Sequence, residues 1–293
     1  MNTLEIGTLA VPGARIHFEV RGTGTLLLLI AGGGFDARVF EQLAAVLATE
    51  YRVLSFDPRG NSRSPLDGPP EDQRIEVHAD DAYRLLAQVA GPGEAAHVFG
   101  GCSGGLTALE LAIRHRDRVR SVVVHEPPSM GLLPDAEQQL AFFDEVHETF
   151  HREGLAAGLR RLQPAFGGRP APALPQAQDN SAFFLGHVMR PSTHFVPDLT
   201  ALATLADRIV VAGGHDSRDH LIHRPAAALA ERLGSDLVDF PGGHAGYAKH
   251  PAEFAEQLAE VLAAMPSVGP SVAASVGPSL VPSVGPGQAT CAS

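Results

Sequence analysis

The stretch Gly101-Cys102-Ser103-Gly104-Gly105 lies between an apolar run at 96–99 and a helical pattern at 106–112. This arrangement predicts a strand, a tight turn and a helix. A G-x-S-x-G turn in that setting is a nucleophile elbow, which holds a serine in a strained backbone so that its hydroxyl stands clear of the sheet. The flanking glycines are needed because strand and helix approach each other closely there. The motif therefore predicts Ser103 as a nucleophile, and Cys102 is interpreted as a small packed residue.

Strands alternate with helices on both sides of this turn. Strands are predicted at 15–20, 26–31, 52–56, 96–99, 119–124, 208–212 and 237–240, and helices at about 39–48, 78–90, 105–115, 223–233 and 252–264. The run at 26–31 is continuously apolar, which is typical of a strand buried on both faces of a parallel sheet. The order predicts an α/β fold with a mostly parallel, doubly wound sheet.

One segment interrupts the alternation. Residues 130–202 contain helical patches separated by Pro- and Gly-rich pieces, which predicts a helical cap inserted into a core formed by 1–129 and 203–265. Such a cap would roof a pocket over Ser103, because open α/β sheets bind ligands at the carboxyl ends of their strands. Its larger apolar residues either line that roof or pack the cap helices together: Phe142, Phe143, Phe166, Phe183, Phe184, Met189 and Phe195. Residues 266–293 repeat Pro, Ser, Val and Gly, which predicts a disordered tail.

Composition limits the classes of partner. The net charge of −11 argues against a nucleic-acid surface and favours a small, neutral or apolar ligand. No apolar stretch reaches the roughly 18 residues of a membrane span, and the first residues lack the basic region of a secretory signal. We therefore expect a cytoplasmic protein with no membrane partner. The two cysteines, Cys102 and Cys291, are too few for a disulfide framework, which fits a reducing compartment.

A serine nucleophile needs a base and a carboxylate that orients the base. Of the 14 histidines, His244 has the expected position, because it follows the last predicted strand and comes after the serine in the chain. Two carboxylates compete for the third role. Glu126 follows the strand at 119–124, and Asp216 follows the strand at 208–212. Both loops end near the histidine in a doubly wound sheet, so spacing leaves the choice open.

Neither a metal nor another cofactor is expected. His215, His220 and His223 are closely spaced but fit no metal-ligand spacing. The glycines form no G-x-x-x-x-G-K-[ST] motif, and no G-x-G-x-x-G opens the first strand-helix unit. They suit an oxyanion hole instead, which takes one backbone N–H from the residue after the nucleophile and one from an early strand-end loop. Those donors are predicted to be Gly104 and Gly33.

Five motifs together resemble those of α/β-hydrolase-fold enzymes over about residues 5–264. They are Gly32-Gly33-Gly34, the segment FDPRGNSRS at 56–64, the elbow, the loop with Asp216 and the loop with His244. Within that fold, three of the motifs are similar to those of the zearalenone lactone hydrolases: the elbow, His125-Glu126-x-Pro128 and Pro241-Gly242-x-His244. In that family the glutamate after the sixth strand is the triad acid, so the resemblance favours Glu126.

The chain departs from the lactonases at two points. They lack an aspartate at the position of Asp216, and they carry a tryptophan in the substrate pocket, whereas this chain has no tryptophan. The resemblance implies a cofactor-independent enzyme that hydrolyses a small apolar carboxylic ester or lactone with Ser103, His244 and either Glu126 or Asp216. The alternatives are a carbon–carbon bond hydrolase, a cofactor-free haloperoxidase-like enzyme, or a ligand-binding protein of the same fold with negligible turnover.

Overall fold

The computed structural model describes residues 4–168 and 177–265. The predicted tail at 266–293, with Cys291, lies outside the described residues. Within the two described ranges, every helix is too short or too polar to traverse a lipid bilayer.

An eight-stranded sheet forms the centre of the described part of the chain. Its strands are β1 (Leu4–Val11), β2 (Ala14–Arg21), β3 (Thr25–Ile30), β4 (Tyr51–Phe56), β5 (Ala96–Gly101), β6 (Val119–His125), β7 (Ile209–Gly214) and β8 (Val238–Phe240). They lie in the order β1-β2-β4-β3-β5-β6-β7-β8; β2 is antiparallel to both of its neighbours, and all other pairs are parallel. The predicted mostly parallel sheet is confirmed. β1 was not predicted from the sequence, because an edge strand with mostly exposed residues carries little hydrophobic signal.

Helices cover both faces of this sheet. They are α1 (Glu41–Leu47), α2 (Ile75–Val89), α3 (Ser103–Arg114), α4 (Ala136–Glu153), α5 (Leu155–Leu162), α6 (Ala177–Phe183), α7 (Met189–His194), α8 (Leu199–Ala203), α9 (Arg224–Leu233), α10 (Gly246–Lys249) and α11 (Pro251–Ala264). One hydrophobic cluster contains side chains of α2, α3 and α9, and a second contains side chains of α1 and α11. In β3, Leu26 and Leu28 join the first cluster, whereas Leu27 and Leu29 join the second. Burial on both faces explains why this strand is continuously apolar.

The chain between β6 and β7 forms α4 to α8 and contributes most of a third hydrophobic cluster. Several of the apolar residues predicted for the roof lie in or against this cluster. Phe143 and Met189 are buried inside it and also line a small pocket beside Cys102 and Ser103. Phe166 and Phe184 lie at its edge and also line a cavity above the carboxyl ends of the strands.

Asn180 ties α6 to the loop that follows β4. Its side-chain oxygen accepts a hydrogen bond from the Ser62 N–H at 2.9 Å, and its amide donates to Ser62 Oγ at 2.8 Å. The Ser62 hydroxyl donates in turn to Asp36 Oδ2 at 2.6 Å. Asp36 lies in the loop after β3, so this chain of hydrogen bonds connects the helical segment to both loops beneath it.

Candidate active site

The turn between β5 and α3 has its apex at Cys102. The backbone of this residue has φ 54° and ψ −129°, a conformation that residues with side chains rarely adopt. Ser103 is already the first residue of α3. In a nucleophile elbow, the strained residue is the one that presents its side chain above the sheet. Cys102 therefore occupies the position that the sequence analysis assigned to Ser103.

The contacts of the neighbouring glycines also place the apex of the elbow at Cys102. A Cβ at Gly100 would lie 2.3 Å from the Gly104 carbonyl oxygen, and a Cβ at Gly104 would lie 2.3 Å from the Ile30 carbonyl oxygen. Both obstacles are backbone atoms of packed elements. A Cβ at Gly101 would instead meet side-chain atoms of Tyr247, the nearest at 2.9 Å. The two glycines that strand–helix packing requires thus flank Cys102 at two residues on either side.

The predicted elbow is therefore shifted by one residue. The segment 100–105 reads GGCSGG, so glycines stand two positions before and two positions after both Cys102 and Ser103. The sequence pattern fits either frame, and only the backbone conformation distinguishes them. The Ser103 hydroxyl does not stand free above the sheet, because its Oγ accepts a hydrogen bond from the Gly33 N–H at 2.9 Å.

His244 links the thiol to a buried carboxylate. Its Nδ1 lies 2.7 Å from Glu126 Oε2, and it lines the same cavity as Cys102. Burial disfavours the charged imidazolium, but Cys102 and Glu126 outweigh it and raise the pKa of His244 to about 10. The site therefore stabilises the protonated form of His244, which is the form it takes on accepting a proton from Cys102.

Glu126 follows β6 in a strained conformation with φ 49°, and its side chain is fully buried. Its Oε1 accepts hydrogen bonds from the Gly214 N–H at 2.9 Å, from the Ser217 hydroxyl and from His223, whose Nδ1 lies 3.0 Å away. Burial acts to raise the pKa of Glu126, but the hydrogen bonds from His223 and His244 hold it well below its usual value. The group is therefore an ionised carboxylate inside the protein.

Asp216, the alternative acid, lies elsewhere. Its side chain is 57% exposed, and Oδ1 lies 3.2 Å from Nδ1 of the adjacent His215. Its backbone N–H donates to the Gly242 carbonyl at 2.8 Å, which ties the β7 loop to the loop that carries His244. Of the two candidate carboxylates, Glu126 is the one that contacts the histidine.

With the apex of the elbow at Cys102, one of the two predicted oxyanion donors changes. Gly33 has φ 63°, and its N–H points at the elbow, as its bond to Ser103 shows. The Asn61 amide holds this loop by donating to the Phe35 carbonyl at 2.8 Å. With Cys102 at the apex, the residue after the nucleophile is Ser103, so the second predicted donor moves from Gly104 to the Ser103 N–H.

A cavity of about 320 Å³ opens above Cys102 and His244. Its apolar walls are formed by Phe35, Leu159, Leu162, Phe166 and Phe184. Its polar lining is formed by Ser181, Asp216, His220, Lys249 and His250. Among residues 4–168 and 177–265, no group of three or more His, Cys, Asp or Glu side chains is arranged to hold a metal ion.

Comparison with known proteins agrees with this architecture. The family model of the alpha/beta hydrolase fold matches residues 25–162. The hydrolase YraK of Bacillus subtilis (strain 168) is 39% identical over 265 residues, which cover 89% of this chain and 97% of YraK. This chain belongs to the α/β-hydrolase family. Its membership confirms the resemblance to α/β-hydrolase-fold enzymes seen in the sequence.

Solved structures show the same α/β-hydrolase fold. A thermophilic esterase from Thermogutta terrifontis superposes with a TM-score of 0.68 at 23% identity, over 90% of this chain and 98% of the esterase. An enol-lactonase from Burkholderia xenovorans LB400 superposes with a TM-score of 0.56 at 19% identity, over 88% of this chain and all of the lactonase. At these identities the likeness concerns the fold.

From the sequence alone, three residues of this α/β hydrolase were assigned another role or none. Cys102 was interpreted as a small packed residue because the serine beside it satisfied the same glycine pattern. Ser217 and His223 contact Glu126 from 91 and 97 positions away in the chain. No local spacing connects them to Glu126, so only the packing of β6 against β7 brings the three side chains together.

Proposed function

We propose that this α/β hydrolase cleaves a carboxylic ester or lactone through a thioester intermediate on Cys102. One observation carries the proposal: the residue at the strained apex of the elbow is a cysteine that shares a cavity with His244, and His244 is itself held by Glu126. A thiolate is a strong nucleophile, and an adjacent histidine held by a third group is the usual means of activating one.

The reaction follows from the positions of these groups. His244 takes the proton of the Cys102 thiol, and the thiolate sulfur attacks the carbonyl carbon of the substrate. The oxygen of the tetrahedral intermediate accepts hydrogen bonds from the N–H groups of Gly33 and Ser103. His244 then donates its proton to the departing alkoxide, and the carbon–oxygen bond breaks. With a lactone, the new hydroxyl stays on the acyl chain.

Hydrolysis of the thioester completes the cycle. Cys102 and Glu126 both raise the pKa of His244 in the resting enzyme. A thioester sulfur carries no charge, so acylation removes the contribution of Cys102 and makes neutral His244 easier to form. Neutral His244 takes a proton from water, the hydroxide attacks the thioester carbonyl, and the Cys102 thiolate leaves.

The cavity supports the choice of substrate. Its volume of about 320 Å³ lies at the lower end of the roughly 300–1,000 Å³ typical of small-molecule pockets. Aromatic and leucine side chains form its walls, and its polar groups include His244 at the elbow and Lys249 in α10. These features fit an apolar ester or lactone of moderate size, a class that includes zearalenone-like macrolactones.

The test combines substrates with two single substitutions. Wild type, Cys102→Ala and Ser103→Ala are incubated with aryl esters and with zearalenone, and products are measured by mass spectrometry. We expect product in excess of enzyme from the wild type, a loss of about 10³-fold or more in kcat for Cys102→Ala, and less than about tenfold for Ser103→Ala. The intermediate is sought as an acyl adduct on the peptide that contains Cys102.

Two outcomes would overturn the proposal. A Cys102→Ala enzyme with wild-type kcat, beside an inactive Ser103→Ala enzyme, would return the role of nucleophile to Ser103. Product that never exceeds one equivalent of enzyme on any substrate would favour a ligand-binding protein over a catalyst.

A further inference from the structure

His223 makes a contact that the proposed mechanism does not use. It follows the loop after β7, directly before α9, and its Nδ1 lies 3.0 Å from Glu126 Oε1. His244 Nδ1 lies 2.7 Å from the other oxygen, Oε2. Two histidines thus hold the two oxygens of one buried carboxylate. We infer that His223 is a positioning residue of the reaction, which fixes the Glu126 carboxylate in the orientation that His244 requires.

The protonation of these contacts follows from the chemistry of the carboxylate. An ionised carboxylate only accepts hydrogen bonds, so the His223 nitrogen that faces it must carry the hydrogen. His223 is therefore an Nδ1–H donor to Oε1. With the Gly214 N–H and the Ser217 hydroxyl, it gives Oε1 three donors. Rotation of the carboxylate would break all three bonds, so Oε2 stays directed at His244.

The end of β7 is shaped around both histidines. A Cβ at Gly213 would lie 2.4 Å from Cε1 of His223, so only a glycine leaves room for this ring against the strand. A Cβ at Gly214 would lie 2.5 Å from the backbone of Gly243, the residue that precedes His244. The pair of glycines therefore admits the ring of one histidine and the loop of the other. Because the backbone of β7 accommodates both groups, the contact of His223 with Glu126 is part of the packing of the fold and not an incidental contact of a residue at the start of α9.

His223 acts at a distance from the substrate. Its side chain is 9% exposed, and it is not among the residues that line the 320 Å³ cavity. Loss of His223 should therefore lower kcat and leave KM unchanged. Glu126 would keep the Gly214 and Ser217 donors, so the buried charge remains partly satisfied.

The test compares two substitutions that differ in one property. His223→Leu removes the donor, whereas His223→Asn keeps an N–H group close to the position of Nδ1. We expect His223→Leu to lower kcat by about tenfold or more at unchanged KM, because general-base catalysis contributes about 10²–10⁴-fold and depends on the geometry of the base. His223→Asn should recover most of that loss, which a space-filling role for the ring would not produce.

A second readout needs no substrate. The rate at which iodoacetamide alkylates Cys102 at pH 7, measured on its peptide, reports the activation of the thiol by His244 and Glu126. We expect His223→Leu to slow this reaction and His223→Asn to restore it, with Cys291 in the same samples as an internal reference. Wild-type kcat in His223→Leu, or equal losses in both variants, would overturn the inference.

The inference rests on the proposed function, and the two can fail separately. If Cys102→Ala keeps its activity, the nucleophile is misassigned, yet the kcat of the His223 variants still tests the link from His223 to His244. If the Leu variant does not fold, nitrogen-15 NMR of the wild type decides the matter. An Nδ1–H tautomer of His223 supports the inference, and an Nε2–H tautomer overturns it.

Discussion

Cys102 and Ser103 show that a shift of the elbow apex by one residue changes which side chain is the proposed nucleophile. Both side chains lie near the strand end, but the strained backbone belongs to Cys102, whereas Ser103 begins a helix. The Ser103 hydroxyl accepts a hydrogen bond from the Gly33 N–H, the group proposed to hold the oxyanion. A substrate oxygen that takes this N–H would compete with Ser103 for it. The described chain has three non-glycine residues with positive φ, and two of them, Cys102 and Glu126, lie in the candidate site.

Single substitutions can also test which carboxylate, Glu126 or Asp216, orients His244. We expect Glu126→Gln to lose about 10²-fold or more in kcat, because a neutral amide neither stabilises the imidazolium nor enforces its tautomer. Asp216→Asn is the matched control, since it makes the same chemical change at the exposed competitor. Steady-state kinetics on one ester tests both, with less than about tenfold expected for Asp216→Asn. A larger loss in the Asp216 variant than in the Glu126 variant would reverse the assignment.

At the scale of elements, the elbow depends on the close packing of β5, α3 and the end of β3. Gly104 lies in the first turn of α3, and a Cβ there would lie 2.3 Å from the carbonyl oxygen of Ile30 and 2.9 Å from that of Ala31. The register of β3 with β4 and β5 fixes those carbonyls. The elements therefore leave room for a hydrogen at Gly104 and for nothing larger.

This packing predicts that Gly104→Ala destabilises the protein. Helix propensity alone would make Gly104→Ala stabilising by about 1 kcal/mol. Its Cβ would lie 2.3 Å from Ile30 O, so we expect instead a loss of about 2 kcal/mol or more in the free energy of unfolding. Chemical denaturation measures it. Gly68→Ala is the control, because its Cβ meets nothing within 4 Å, and its change should stay within about 0.5 kcal/mol. Equal effects in the two variants would contradict the packing argument.

At the scale of the whole molecule, the candidate site contains an ionised carboxylate, Glu126, that becomes buried on folding. Glu126 is fully buried between the ends of β6 and β7, beside His223 and His244. Only the folded chain supplies its donors, which is why its pKa falls well below its usual value on folding. The hydrogen bonds that Glu126 accepts therefore contribute to the stability of the folded chain.

A dependence of stability on pH follows. The pKa of Glu126 is lowered from 4.5 in the folded state, so its contribution is present above about pH 4.5 and is lost as pH falls through the folded pKa. We expect the difference in unfolding free energy between wild type and Glu126→Gln to shrink as pH is lowered from 5 to 3, below the range in which the histidines titrate in the unfolded chain. Chemical denaturation of both proteins at each pH measures it, and carboxylates common to both cancel. A difference that does not change with pH would contradict the prediction.

The sequence by itself determined the alternation of strands and helices after β1, the sheet class, the family and the loops that carry the candidate site, because these follow from local patterns of apolar residues and glycines. The sequence predicted His244 near the elbow, where the structure has it in one cavity with Cys102, and Glu126 was one of two open choices. The tertiary structure alone decided that Cys102 is the apex, that Glu126 rather than Asp216 meets His244, and that His223 meets Glu126. The physical reason is the same for each. The frame of the elbow depends on a backbone conformation that GGCSGG permits at either residue, and the contacts of Glu126 join residues about 90 to 120 positions apart.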